Sequence, residues 1–283
     1  MLPKIPAPYR TRIYAHPAAP LIAARRVATP DGALLATFVY GPEGTGMADL
    51  PAEGAVMVLH GNGGTHATYT AVIEELCAKG MWVVAFDARA QGQSTRGSLP
   101  LTYELLAEDA VCVLDALGVS RVHALGHSDG GIEALLLARD HADRIVSIVA
   151  GGANLTPDGV VDDPAWDTVG SAAANLAWSD FVDGGGLPDA IDPTLLPSAE
   201  EARISGELLS LMLEEPHIDP ASLSSIACAV TVMVGEFDCI RDDETVAIAR
   251  AIPQAKLVVV PGCGHSIPRQ RPDAVIWALE QQL

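Results

Sequence analysis

Apolar and polar positions follow two rhythms along this chain. Short strand-like segments, most of them apolar, recur near residues 22–28, 33–40, 55–60, 82–86, 121–126, 144–150, 230–235 and 256–261. Runs of this length and β-branched content, such as Ala55-Val56-Met57-Val58-Leu59 and Val230-Thr231-Val232-Met233-Val234, predict strands buried on both faces. Between them, apolar residues recur at helical spacing, which predicts helices near 66–79, 103–117, 129–139, 243–251 and 270–282. Strands alternating with helices predict an α/β protein: an eight-stranded, mostly parallel sheet with helices on both faces. The first two strands are close enough in sequence to form an antiparallel hairpin. No internal repeat is present.

Two stretches break the rhythm. Residues 1 to about 21 are proline-rich and predict an irregular path across the surface. Between Gly151 and about Ser225 the buried-strand runs stop, and Pro, Asp, Ala and Leu dominate. The expected organisation is a core of residues 1–151 and 226–283 interrupted by residues 152–225. Within the interruption, Gly184-Gly185-Gly186 and prolines 188, 193 and 197 predict a loose connection between two helical pieces. Fourteen acidic side chains there face one base, Arg203.

Candidate chemistry sits where predicted strands end. Val122-His123-Ala124-Leu125 leads into Gly126-His127-Ser128-Asp129-Gly130-Gly131 and then an apolar helical run. This is a strand, a tight turn and a helix with Ser128 at the point of the turn. Gly126 and Gly130 flank the serine where strand and helix pack too closely for side chains. A serine hydroxyl is a weak nucleophile until a base takes its proton and an acid orients that base. Asp238 follows the run ending Gly235-Glu236-Phe237, and His265 follows Pro261-Gly262-Cys263-Gly264. Both therefore fall on loops after neighbouring strands, at the edge where Ser128 is expected. His60-Gly61-Asn62-Gly63-Gly64 follows another buried strand. Its glycines let the backbone approach a substrate, so the amides of Asn62 and Asp129 are the candidate donors to a developing oxyanion.

On these residues the chain resembles the α/β-hydrolase superfamily from about residue 22 to the end, the central insertion apart. The order Ser128, Asp238, His265 is that superfamily's order. Asp87-Ala88-Arg89-Ala90-Gln91-Gly92-Gln93-Ser94 looks like its Asp-x-Arg-Gly-x-Gly-x-Ser turn, with Ala90 in place of the usual glycine. The resemblance implies a helical lid inserted after strand 6, and hydrolysis of carboxylic esters through an acyl-enzyme on Ser128. It calls for no cofactor and no metal. Lactonase, thioesterase, amidase and carbon–carbon bond hydrolase chemistries share the same residues. A ligand-sensing protein that keeps the fold is the reading from outside enzymology. Serine at the elbow sets the chain apart from epoxide hydrolases and dehalogenases, whose nucleophile is aspartate.

Composition narrows the partners. A net charge of −19 and a pI near 4.6 argue against nucleic acid and anionic membranes. The expected partner is a small-molecule ester, neutral or cationic, with a homodimer left open. No strand is followed by Gly-x-Gly-x-x-Gly, which excludes a dinucleotide-binding reading. Five cysteines form no CxxC pair and no secretory signal opens the sequence, so the expected setting is the reducing cytoplasm. His60, His66 and Asp129 match no standard metal spacing; His60 and His127 read as structural hydrogen-bonding residues, and Asp129 as a carboxylate favoured by a helix N-terminus. Cys239 and Cys263 read as packed loop residues. Trp166, Trp178, Phe181 and Met212 are candidates for an acyl pocket or for the insertion's own core.

Overall fold

A computed structural model describes residues 3–7, 9–161, 167–187 and 192–283. Eight strands form one sheet: β1 (Leu21–Ala28), β2 (Leu34–Tyr40), β3 (Glu53–Leu59), β4 (Val83–Phe86), β5 (Arg121–His127), β6 (Ile145–Gly151), β7 (Ala229–Phe237) and β8 (Lys256–Gly264). Their spatial order is β1-β2-β4-β3-β5-β6-β7-β8. β2 runs antiparallel to both β1 and β4, and every other pairing is parallel. The register aligns Leu59, Gly126, Ala150, Val232 and Leu257 in one row across five strands. Loops leaving the C-terminal ends of β3, β5, β7 and β8 therefore open at one edge, where ligands of parallel α/β sheets gather.

Period-two alternation sends each strand's side chains to two separate cores. Met57, Leu59, Ala124, Ile148 and Val232 pack beneath α2 (Tyr103–Leu117), α3 (Asp129–Asp140) and α6 (Asp242–Ala251). Val56, Val58, Leu125, Val149 and Met233 pack beneath α1 (Thr70–Ala78) and α8 (Pro272–Glu280) on the other face. α2 has the bounds its apolar spacing predicts, because Thr102 caps its first turn and Gly118 ends it at φ +69°.

Two predicted helices are interrupted. Residues 66–69 form a tight 3₁₀ turn before α1, since Thr65 caps Ala67 and the His66 amide is drawn to the Asp87 carboxylate. The C-terminal helix is two pieces, α7 (Ile267–Gln270) and α8. Pro272 disfavours a helical conformation at Arg271, whose φ of −139° breaks the run.

Between β6 and β7 lie two helices, α4 (Thr168–Asp183) and α5 (Ala199–Glu214), packed on each other. Trp178 is buried between them and donates its indole N–H to the Pro197 carbonyl at 2.8 Å, with Phe181 beside it at 6.0 Å between ring centroids. Both therefore belong to the hairpin's own core. Trp166 lies outside the described residues. None of the described helices is long and apolar enough to cross a membrane.

Candidate active site

Ser128 occupies the turn between β5 and α3 at φ +57°, ψ −122°, a left-handed conformation costing a non-glycine residue about 1–3 kcal/mol. The turn is held by the Ser128 amide on the Gly151 carbonyl at 2.8 Å. The flanking glycines are obligatory: a Cβ on Gly126 would stand 1.9 Å from the Gly130 carbonyl oxygen, and one on Gly130 would stand 2.1 Å from that of Leu59. The strand thus runs hard against the helix, and the serine is thrown outward, half-buried.

β7 and β8 continue past the aligned row and bring Asp238 beside His265. Gly235 permits this, since a Cβ there would meet the Gly264 carbonyl at 2.3 Å. His265 Nε2 lies 3.0 Å from Ser128 Oγ, and its Nδ1 lies 2.6 Å from Asp238 Oδ1. The Asp238 carboxylate also accepts the amides of Gly235 and Ile240. Burial pushes its pKa up, but the His265 contact and charge outweigh burial and hold it below the usual carboxylate range. Burial likewise disfavours a charged His265, yet Asp238 and Cys239 outweigh it and the imidazolium is favoured. A neutral His265 can take the Ser128 proton, and Asp238 fixes which ring nitrogen faces the serine. Neighbouring acids are engaged elsewhere: Glu236 accepts the Gly262 amide, and Asp242 and Asp243 open α6.

Asn62 lies on the loop after β3. Among the described residues, neither its backbone N–H nor that of Asp129 donates to a loop or turn carbonyl, and the Asp129 N–H leans only on its own carboxylate. Both N–H groups are thus available to an oxyanion. The Asp129 carboxylate is not open to a cationic substrate. It is buried, and it accepts the Tyr103 hydroxyl at 2.9 Å and the Asn62 side-chain amide at 2.8 Å. Burial pushes its pKa up to about 6 in spite of those two hydrogen bonds.

The other histidines are structural. His60 accepts the Ala88 amide at Nε2, so Nδ1 carries the proton and donates to the Gly61 carbonyl at 2.8 Å. His127 donates from Nε2 to the His265 carbonyl at 2.5 Å, and burial with the adjacent His265 lowers its pKa to about 3. His66 pairs with Asp87, so His60, His66 and Asp129 do not converge. Asp238, Cys239 and His265 do cluster within 4.8 Å; two of the three already hold the serine line. Cys263 is buried, as expected, against Gly264 and Gln270.

Several contributors carry no local signature. Gly152 has φ +59° and backs the imidazole: a Cβ there would lie 2.9 Å from His265 Cε1. Tyr103 and Tyr9 reach the site from 26 and 53 positions away. The only available hint, an aromatic at the start of a helix or in a proline-rich segment, points nowhere in particular.

An eight-stranded, mostly parallel sheet with a serine elbow after β5 defines the α/β-hydrolase class. The profile of the alpha/beta hydrolase family matches residues 56–278, and the chain belongs to that family. The chain is 39% identical over 106 residues to RutD of Caulobacter vibrioides (strain NA1000 / CB15N), a protein named for carbamate hydrolysis. That stretch is 36% of this chain and 38% of RutD, so the chain matches well under half of that relative. It is 34% identical over 111 residues to the rhodomycin D methylesterase DauP of Streptomyces sp. (strain C5), covering 38% and 36% of the two chains. Among solved structures it is similar to a thermophilic esterase from Thermogutta terrifontis, with TM-score 0.65 and 25% identity over 93% of this chain and 97% of that one.

Proposed function

We propose that the protein is a serine hydrolase of small carboxylic esters. One observation carries this reading: the strained Ser128 presents its hydroxyl 3.0 Å from His265 Nε2, whose other nitrogen is held by Asp238. His265 takes the Ser128 proton as the hydroxyl attacks the ester carbonyl. The amides of Asn62 and Asp129 receive the oxyanion, each such donor being worth roughly 10²–10³ in rate. His265 protonates the leaving alcohol, then activates the water that releases the acyl group. α4 and α5 serve as a cap, since α5 meets the oxyanion loop through the Leu208 carbonyl and Asn62 Nδ2 at 3.0 Å. The five free thiols support a reducing, cytoplasmic setting.

The name of the RutD relatives brings a second substrate within the same chemistry, a carbamate, whose carbonyl is flanked by both oxygen and nitrogen. An ester releases a carboxylic acid and an alcohol, whereas a carbamate releases carbon dioxide together with ammonia or an amine, so the nitrogen-containing product separates the two.

The test is labelling with a fluorophosphonate probe beside turnover of a p-nitrophenyl ester series. Labelling and turnover are expected in the unaltered protein, and Ser128→Ala is expected to fold normally while losing both, with turnover down at least ~10³-fold. No labelling of the folded protein would move the ligand-sensing reading to the front.

A further inference from the structure

The N-terminal segment is irregular, as its prolines predict, but it is fastened across the site. Pro6 and Pro17 are buried. The Thr11 amide reaches the Gly63 carbonyl at 3.3 Å, the Arg10 guanidinium donates to the Ala90 carbonyl, and the Tyr14 hydroxyl donates to the Asp87 carboxylate. Tyr9 is the centre of this strap. Its ring lies on Gly63, where an added Cβ would be 3.2 Å from Tyr9 Cζ. Its hydroxyl donates to Asn62 Oδ1 at 2.7 Å and lies 4.0 Å from Met212 Sδ on α5. Burial, reinforced by the Asp129 charge, holds the phenol above its usual range, so it is a neutral donor. Asn62 therefore has its oxygen on Tyr9 and its nitrogen on Asp129 and the Leu208 carbonyl. The loop that carries the oxyanion amide is pinned from three elements.

Beyond Tyr9 lies a chamber of about 260 Å³, open to solvent on one side, between the strap and the α4–α5 hairpin. Tyr9, Arg12, Asn175, Leu196, Glu201 and Ser205 are among its walls, whereas Ser128 and His265 are not. Asn175 and Ser205 are buried neutral polar groups, Arg12 and Glu201 offset each other at 3.1 Å, and the guanidinium of Arg10, also in the wall, is taken up by the Ala90 carbonyl. The chamber suits an uncharged group among apolar walls with a few hydrogen-bonding partners. Tyr9 is the side chain common to this chamber and the oxyanion loop.

We propose that Tyr9 is a specificity-determining residue: it is the partition between the Ser128 site and this chamber, and it sets the length of uncharged acyl group the enzyme accepts. This rests on the serine-hydrolase reading above. With the partition in place, short acyl groups fit and longer ones meet the phenol. Without it, a longer chain extends into the chamber, each buried methylene there being worth roughly a factor of four.

The test compares kcat/KM for p-nitrophenyl acetate and p-nitrophenyl octanoate. The unaltered protein should favour acetate. Tyr9→Ala should raise the octanoate-to-acetate ratio at least tenfold. Adding Ser205→Phe to fill the chamber should cancel that gain. Tyr9→Phe keeps the partition and should leave the ratio unchanged, whatever it does to overall rate. If Tyr9→Ala fails to fold, Tyr9→Leu, which retains packing on Gly63, carries the same comparison. An unchanged ratio in folded Tyr9→Ala or Tyr9→Leu that still takes the fluorophosphonate label overturns the proposal and leaves the serine-hydrolase reading intact. Absence of label in the unaltered protein defeats that reading instead.

Discussion

His265 is the residue on which proton balance at the site turns. Only its neutral form can accept the serine proton, and Asp238 stabilises the charged form. Activity should therefore fall as pH drops through the His265 pKa, and that pKa lies above the ordinary histidine value. The acid limb of kcat/KM against pH is expected above pH ~6.5, since this limb reports the free enzyme. Asp238→Asn removes the charge that holds the proton, so its limb should move to lower pH while kcat drops on the order of 10⁴-fold. A limb that stays in place after this substitution would detach Asp238 from His265. Sequence alone pointed to these three residues because each ends a strongly apolar run, so local pattern located the loops. It could not reveal Gly152 behind the imidazole or Tyr103 on Asp129, because those contacts depend on how distant segments meet.

Helix α3 brings an unusual load into the core. One turn after Asp129 it carries Glu133, 1% exposed, with Oε1 lacking a hydrogen-bond partner among the described residues. Burial first, then the charges of Asp129 and Asp109, push the Glu133 pKa well above normal. The folded protein thus holds a proton that the unfolded chain releases, and stability falls as pH rises beyond the ordinary glutamate value. Glu133→Gln mimics the protonated acid. Its melting temperature should match the unaltered protein near pH 4.5 and exceed it at pH 8, by about 1 kcal/mol or roughly 2–4 °C. A gap independent of pH would contradict this account. Elements such as α3 were legible because capping and apolar spacing are local. The broken helices at 66–79 and 270–282 were less so: Pro272 was visible, but the pull of Asp87 on His66 acts across 21 positions. Its prolines predict an irregular surface path for the strap, and its chain path is irregular. What no periodicity could convey is that Tyr9 lands on Asn62, 53 residues away.

Charge belongs to the whole molecule. Of the insertion's many acids, Glu201 and Glu207 meet bases from outside it, Arg12 at 3.1 Å and Arg96 at 2.6 Å. These ties lean the hairpin toward the strap and the sheet but leave the net charge of −19 largely uncompensated. A field of that sign lowers the local concentration of anionic substrates. A neutral ester should be preferred over a matched anionic ester by roughly tenfold at ~0.02 M salt, the gap narrowing by ~0.5 M as the charges are screened. Preference for the anionic ester, weakened by salt, would place a basic pocket at the site.

The hairpin leaves the sheet after β6 and returns as β7, two strands paired side by side with Ser147 opposite Ala229. Its ends are therefore anchored next to each other, and lengthening a loop between fixed neighbours costs little entropy, about 0.6 kcal/mol per doubling. The hairpin is in this sense an insertion whose length the sheet constrains little. Its usable boundary is not the strand end, because Gly152 still supports the imidazole and the Leu155 amide is tied to Glu244 at 2.6 Å. A transplanted hairpin would have to be spliced beyond Leu155. It would also have to supply a backbone carbonyl where Leu208 now steadies Asn62.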